Sequence, residues 1–171
     1  MKPGPIDSIA SLLAHAHALE AEASERYGDL ARVVAKSCPE LSEFFAKMAA
    51  IEMKHVDAVE EMAGELELPQ FAHWEFSWSD MEGPETTPLG MMAQLVSPRA
   101  GILQAIDNEE RAVRFFDDVA EVTSDSAVRE MARTLAEEER EHVAILHGWL
   151  TRYPEEEEGA AADGRPSDSE T

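Results

Sequence analysis

The chain has 171 residues and a formal net charge of −22, from 36 acidic and 14 basic residues. This excess of negative charge argues against binding to nucleic acid or to an anionic membrane surface. The single cysteine, Cys38, excludes an intramolecular disulfide and a metal site built from four cysteines, and it fits a reducing, cytoplasmic location. The length predicts one domain with a sizeable apolar core.

The first helix is expected to begin at Asp7 or Ser8 and to run to about Lys36, because apolar residues recur there at helical spacing. Residues 6–18 also have the outline of a short signal peptide. Asp7 interrupts that stretch, however, and the helical pattern continues straight through it, so we interpret the stretch as part of the helix.

A second helix is predicted from a capping box, with Ser37 as the N-cap and Glu40 three residues later, to an end near Met62. A long connection follows over about residues 65–97. In it Trp74 and Trp78 belong to an alternating aromatic pattern, which allows a short extended segment. These aromatic residues are interpreted as a lid over the apolar surface of the bundle or as a contact in a homodimer.

The third helix is expected to begin after Ser97 as N-cap and to end near Val122. A tight turn at residues 123–126 leads into a fourth helix, which Pro154 ends. Short turns make each helix pair antiparallel, so residues 1–153 are predicted to form an all-α, antiparallel four-helix bundle with one long crossover between helices 2 and 3. The acidic tail, residues 154–171, is expected to be disordered.

The apolar seam of each predicted helix is interrupted near its middle by a glutamate, and in two helices a histidine follows three residues later. The halves of the chain also align as copies of one helical hairpin, with residues 26–33 matching 115–122 and residues 48–56 matching 135–143. The aligned polar positions are Glu20, Glu52, His55, Glu109, Glu139 and His142.

Burying four carboxylates at one level of a core is costly unless cations accompany them. Two divalent metal ions balance four negative charges, and two neutral imidazoles add ligands without charge. The Glu-x-x-His spacing lets both side chains of one helical turn reach one site. The sequence therefore predicts a dinuclear metal site that keeps positions open for water, oxygen or peroxide.

Four motifs in this order resemble the ferritin-like superfamily, and most closely its rubrerythrin-like branch. The motifs are LEAEASERY (residues 19–27), EMKH (52–55), NEERAVRFF (108–116) and EREH (139–142). The resemblance implies two iron ions per chain that react with hydrogen peroxide or dioxygen. It further implies that Glu52 and Glu139 bridge the metals, and that Glu20, His55, Glu109 and His142 are terminal ligands.

Two departures from the rubrerythrin pattern bear on function. The chain lacks the CxxC pairs of a rubredoxin-like module, so electrons are expected from an external donor. Rubrerythrins tend to carry a further glutamate three residues after the ligand of the third helix, and this chain has Ala112 there. That difference favours a more symmetric ligand set, similar to those of ferritin and bacterioferritin.

The sequence thus predicts a non-haem diiron oxidoreductase of the peroxidase or ferroxidase type, with manganese or zinc as acceptable substitutes for iron. Iron storage without turnover and a metal-free helical interaction module stay open as alternatives. Tyr27 is a candidate to hydrogen-bond a ligand carboxylate, whereas its counterpart Phe116 has no hydroxyl, so the two metal sites are expected to differ. His15, His73 and His147 are interpreted as surface residues or as residues with their own hydrogen-bond partners. His17, one turn before Glu20, is a weaker candidate for a further ligand.

Overall fold

Four α-helices make up most of the chain in the computed structural model, which describes residues 6–71 and 97–155. They are α1 (Ile9–Val34), α2 (Pro39–Ala63), α3 (Pro98–Val122) and α4 (Ser126–Leu150). No strand occurs in these two ranges, and the predicted all-α four-helix fold is confirmed. The aromatic part of the crossover and nearly all of the acidic tail lie outside the described residues.

Local capping explains most of the helix boundaries. The Ser8 and Ser97 side chains each accept a hydrogen bond from a backbone N–H in the first turn of their helices, and Asp125 caps α4 in the same way. The capping box predicted at Ser37 is wrong. Cys38 is the N-cap of α2 and makes no side-chain capping bond, while the Ser37 hydroxyl donates back to the carbonyl of Val34.

Pro39 gives the reason for this shift. A proline disfavours helical backbone in the residue before it, so Cys38 takes φ −148° and ψ 83° and separates the two helices. Ser37 therefore remains in the turn that ends α1, and α1 itself stops at Val34, two residues before the predicted end. At the other end of the chain, α4 stops at Leu150, ahead of Pro154.

Hydrogen bonds between helices fix their relative directions. The Ser24 hydroxyl donates to the Ala49 carbonyl and the Ser42 hydroxyl donates to the Ala31 carbonyl, so α1 and α2 are antiparallel. In the second hairpin Arg129 donates to the Ala120 carbonyl, and Arg140 donates to Asp117. Both hairpins have the predicted antiparallel arrangement.

Contacts between the hairpins settle where α3 begins. Asp7 accepts hydrogen bonds from Thr123 and Ser124 at one end of the bundle, while Gly101 packs beside Leu30 and Phe45 at the other. Helix α3 is therefore antiparallel to α1 and parallel to α2. The end of α2 and the start of α3 therefore lie at opposite ends of the bundle, separated by the length of a 25-residue helix, about 37 Å. The sequence alone allowed α3 to begin at either end of the bundle.

The core consists of two apolar clusters at opposite ends of the bundle. One includes Leu13, Phe116 and Val128, and the other includes Phe45 and Leu146. The polar residues of the four seams lie at the level between the clusters. Packing of the two apolar clusters thereby holds the polar level in place.

Apolar residues spaced four and three apart along α2 predict Met62 as the last buried position of its seam, and this prediction is wrong. Met62 is 48% exposed, and the neighbouring Ala63 is buried in its place. The prediction used a strict seven-residue repeat, whereas a straight α-helix drifts from that repeat by about 20° per heptad. By the last turn of α2 this drift has moved the buried face on by one residue.

None of the helices within the described ranges has an apolar stretch long enough to cross a membrane.

Candidate metal centre

Each helix contributes one glutamate to the level between the two apolar clusters, and α2 and α4 each add a histidine one turn later. All four glutamates and one of the histidines are no more than 5% exposed, and the second histidine, His55, has 27% of its side chain exposed. The structure thus brings together all six predicted residues; their role as metal ligands stays a prediction. The six are Glu20, Glu52, His55, Glu109, Glu139 and His142.

His142 is the centre of one half of the cluster. Its Nδ1 lies 3.2 Å from Glu52 Oε1, 3.5 Å from Glu139 Oε2 and 3.7 Å from Glu109 Oε2. Three side chains here, those of Glu109, Glu139 and His142, offer ligand atoms within 4.8 Å of one another, which is close enough to share one metal ion. We call these three residues the Glu109 half.

His55 is the centre of the other half. Its Nδ1 lies 3.4 Å from Glu20 Oε2 and 3.4 Å from Glu52 Oε2. The imidazole rings of His55 and His142 stack with their centroids 5.2 Å apart and their planes 2° from parallel. Glu52 therefore faces both histidines, one with each oxygen, as a residue between two metal ions would. We call Glu20, Glu52 and His55 the Glu20 half.

Several buried polar atoms of this cluster have no hydrogen bond of acceptable geometry. They are both carboxylate oxygens of Glu52, Oε2 of Glu109 and Nδ1 of His142. A buried polar atom without a partner costs about 1–3 kcal/mol, so four at one place need a physical reason. Carboxylate oxygens and imidazole nitrogens are ligands that iron, manganese and zinc accept, and these unsatisfied atoms point at one another. The residues present therefore fit a pair of metal ions.

The pKa values of the carboxyl groups reflect their burial. Burial raises the pKa of Glu52 from 4.5 to about 7, and it raises that of Glu139 well above its usual value. Burial alone would also raise the pKa of Glu109, but the nearby imidazole of His142 and the charge of Arg26 outweigh it and lower the pKa to about 2. Without metal, the cluster is thus a mixture of protonated and ionised acids.

The two histidines are strong bases here for the same reason. The carboxylates of Glu20 and Glu52, each with an oxygen 3.4 Å from Nδ1, raise the pKa of His55 to about 10. Burial would lower the pKa of His142, but the carboxylates of Glu109 and Glu139 outweigh it and raise the pKa to about 11. Protons on the imidazoles therefore balance carboxylate charge in the metal-free protein, and metal binding must release them.

Comparison with known proteins decides the family, because the sequence matches the rubrerythrin family over residues 11–150. The chain belongs to the rubrerythrin family. It is also similar to the crystal structure of an uncharacterised conserved protein from Magnetospirillum magnetotacticum, with 31% identity and a TM-score of 0.72 over 95% of this chain and 99% of that one.

A hypothetical protein from Pyrococcus furiosus shares the fold at 23% identity, with a TM-score of 0.52 over 84% of this chain and 89% of that one. No curated protein matches the sequence significantly. The family membership confirms the resemblance found in the four motifs and places the six clustered residues in a rubrerythrin-type bundle.

Two residues of α1 attach this rubrerythrin-family cluster to the surrounding protein. The Tyr27 hydroxyl donates a hydrogen bond to Glu109 Oε1, which confirms the bond predicted for Tyr27 to a cluster carboxylate. Arg26 Nη2 donates to the same oxygen over 3.2 Å, and the Arg26 side chain is only 4% exposed. Sequence reasoning missed Arg26. The available signal was its alignment with Phe115 in the internal repeat, since an arginine in an apolar position is seldom buried without a carboxylate.

The other charged residues near the cluster lie where they were predicted. Glu137, Glu138, Arg140 and Glu141 are all exposed on α4. Among the remaining histidines, His15 is buried against aromatic rings with its Nδ1 2.7 Å from the Ser11 carbonyl oxygen, and His17 pairs with Glu60 on the outside of the bundle. His147 is exposed, and His73 lies outside the described residues.

Proposed function

We propose that this rubrerythrin-family protein is a non-haem diiron oxidoreductase that reduces hydrogen peroxide or dioxygen with electrons from ferrous iron. The observation that supports this most strongly is the set of unsatisfied carboxylate oxygens buried between two apolar clusters. Such a set is expensive in a protein without metal and is explained at once by two cations.

The protein's own residues hold and shield the metals in this proposal. Glu52, which faces both histidines, and Glu139 would be shared between the two ions. The other four residues would each hold a single ion: Glu20, His55, Glu109 and His142. Bound iron would supply the redox chemistry, passing from the ferrous to the ferric state. Buried apolar residues above and below the site exclude bulk water, which strengthens the electrostatic hold of the carboxylates on the ions.

Access to the centre is expected on the His55 side. His55 is the most exposed of the six residues, whereas His142 on the opposite hairpin is buried. Ala23 and Ala112 lie three residues after Glu20 and Glu109, in the two helices that contribute no histidine, and both are buried. Their small side chains leave room for a small oxidant rather than an organic substrate. Re-reduction of the iron requires an external donor, since the chain has no second redox motif.

The test is an anaerobic titration with Fe(II), followed by mixing with hydrogen peroxide or with oxygen in a stopped-flow instrument. We expect about two iron ions per chain, followed by rapid growth of ferric absorbance. Glu139→Gln should lose at least one iron and most of the rate, because the amide keeps the shape of the side chain but carries no charge. Glu138→Gln, the adjacent and exposed position, is the matched control and should behave as the wild type.

The outcome also separates the activity from its alternatives. Repeated cycles of oxidation with a chemical reductant present support an enzyme, and the faster of the two oxidants identifies its substrate. A single round of oxidation followed by accumulation of ferric iron would instead indicate storage. Binding of two iron ions that survives both Glu52→Gln and Glu139→Gln would contradict the site itself.

A further inference from the structure

The two oxygens of Glu109 have different surroundings. Oε1 accepts hydrogen bonds from the Arg26 guanidinium and from the Tyr27 hydroxyl. Oε2 faces Nδ1 of His142 at 3.7 Å and has no hydrogen bond. One oxygen is thus committed to α1, and only the other is directed into the cluster.

The internal repeat shows that Glu20 lacks this arrangement. Glu20 aligns with Glu109, and the residues of α3 that align with Arg26 and Tyr27 are Phe115 and Phe116. Both phenylalanines are buried, and their rings contact each other in the apolar cluster at that end of the bundle. A phenyl ring has no N–H or O–H to donate, so these two residues cannot hold one oxygen of Glu20 as Arg26 and Tyr27 hold Glu109.

We propose that Arg26 is a positioning residue that keeps Glu109 a one-oxygen ligand and makes the metal ion of the Glu109 half the more weakly bound of the two. The inference rests on the proposed function, since it concerns the two ions of that site. It adds that the ions are bound with different affinities, and that the difference comes from a fixed positive charge on one side of the cluster.

Two effects of Arg26 oppose each other, and their sizes decide the direction. Holding a ligand in the right orientation typically contributes about 10- to 100-fold to metal affinity. A buried guanidinium within hydrogen-bonding distance of a ligand also withdraws charge from that ligand and repels a divalent ion a few ångströms further on. Because the side chain is only 4% exposed, solvent screens this repulsion poorly, and it exceeds the gain from orientation.

The experiment is a calorimetric titration with Co(II), which is not oxidised by air at this kind of site and whose visible absorbance reports its ligand geometry. In the wild type we expect two classes of site that differ in affinity by about tenfold or more. Arg26→Met removes the repulsive charge and should tighten the weaker class by about tenfold or more, while the tighter class should change less. Arg140→Met removes the same charge from the surface, where Arg140 pairs with Asp117, and should change neither class.

A second variant keeps the inference testable if Arg26→Met does not fold. Tyr27→Phe removes the other donor to Oε1 at constant size, and it should shift the weaker class and its Co(II) absorbance while leaving the tighter class in place. A single class of sites in the wild type, weaker binding in Arg26→Met, or an equal change in both classes in these variants would overturn the role of Arg26. Failure of the wild type to bind any Co(II), Fe(II) or Mn(II) would instead refute the metal site on which the inference rests.

Discussion

Loading the protein with two divalent metal ions is expected to raise its melting temperature by about 20 °C. Each ion present at about 1,000 times its dissociation constant stabilises the folded state by about 4 kcal/mol. Two ions therefore contribute about 8 kcal/mol, and for a domain of this size each kcal/mol corresponds to about 2–4 °C. The physical origin is the relief of the unsatisfied oxygens of Glu52 and Glu109.

Glu52→Gln separates this effect from general stabilisation by salts. Because burial raises the pKa of Glu52, its charged form is unfavourable in the folded protein. The metal-free variant should therefore melt above the metal-free wild type at pH 8, but it should gain little when metal is added. The exposed control Glu138→Gln should retain the full gain. Differential scanning calorimetry with Mn(II), which does not oxidise readily, measures all three proteins with and without metal. A gain in Glu52→Gln equal to that of the wild type would contradict the assignment of Glu52.

The metal-free protein is expected to be most stable near pH 4.5 and to lose stability as the pH rises above that value. The folded-state pKa of Glu52 is raised from 4.5 to about 7, so its contribution is fully present below pH 4.5 and is lost between pH 4.5 and 7. His55 adds a loss in the same direction between pH 6.5 and 10. Glu109, with its pKa lowered to about 2, acts in the opposite direction. Its contribution to stability is lost only as the pH falls from 4.5 to 2.

The loss from Glu52 alone is about 3 kcal/mol between pH 4.5 and 8, at 1.36 kcal/mol for each pKa unit. Urea unfolding of metal-free protein at pH 5.5, 7 and 9 measures it, and the difference between wild type and Glu52→Gln removes the general effect of the protein's negative charge. Glu52→Gln should become progressively more stable than the wild type as the pH rises. A difference that does not change with pH would show that Glu52 is not buried as a charged group. In metal-bound protein the ions replace the protons, so stability at pH 9 should be retained.

The fold followed closely from the sequence because its signals were local and repeated. Helical spacing of apolar residues placed all four helices, and serine or aspartate caps marked three of their four starts. Where the prediction failed, a competing effect acted. Pro39 moved the N-cap from Ser37 to Cys38, and the drift of a straight helix moved the buried face from Met62 to Ala63. The end of the bundle at which α3 begins did not follow from the length of the crossover, because about 33 residues can reach either end.

The six clustered residues were predictable because few structural roles explain a carboxylate in an apolar seam. Four carboxylates at aligned positions leave a metal site as the simplest explanation. The surroundings of the cluster were less predictable. Arg26 lies beside the seam and could equally have reached solvent along its flexible chain. Only the three-dimensional packing shows that its guanidinium turns inward to Glu109, and with it that the two halves of a nearly symmetric ligand set have different electrostatic surroundings.

The most direct test of the central claim, that metal ions occupy the polar level of this core, is an anomalous difference map from crystals grown anaerobically with Fe(II) and measured at the iron absorption edge. We predict two peaks within the cluster, about 3.5–4 Å apart, with Glu52 between them. A map without peaks among these side chains, from crystals that contain iron elsewhere, would contradict the claim.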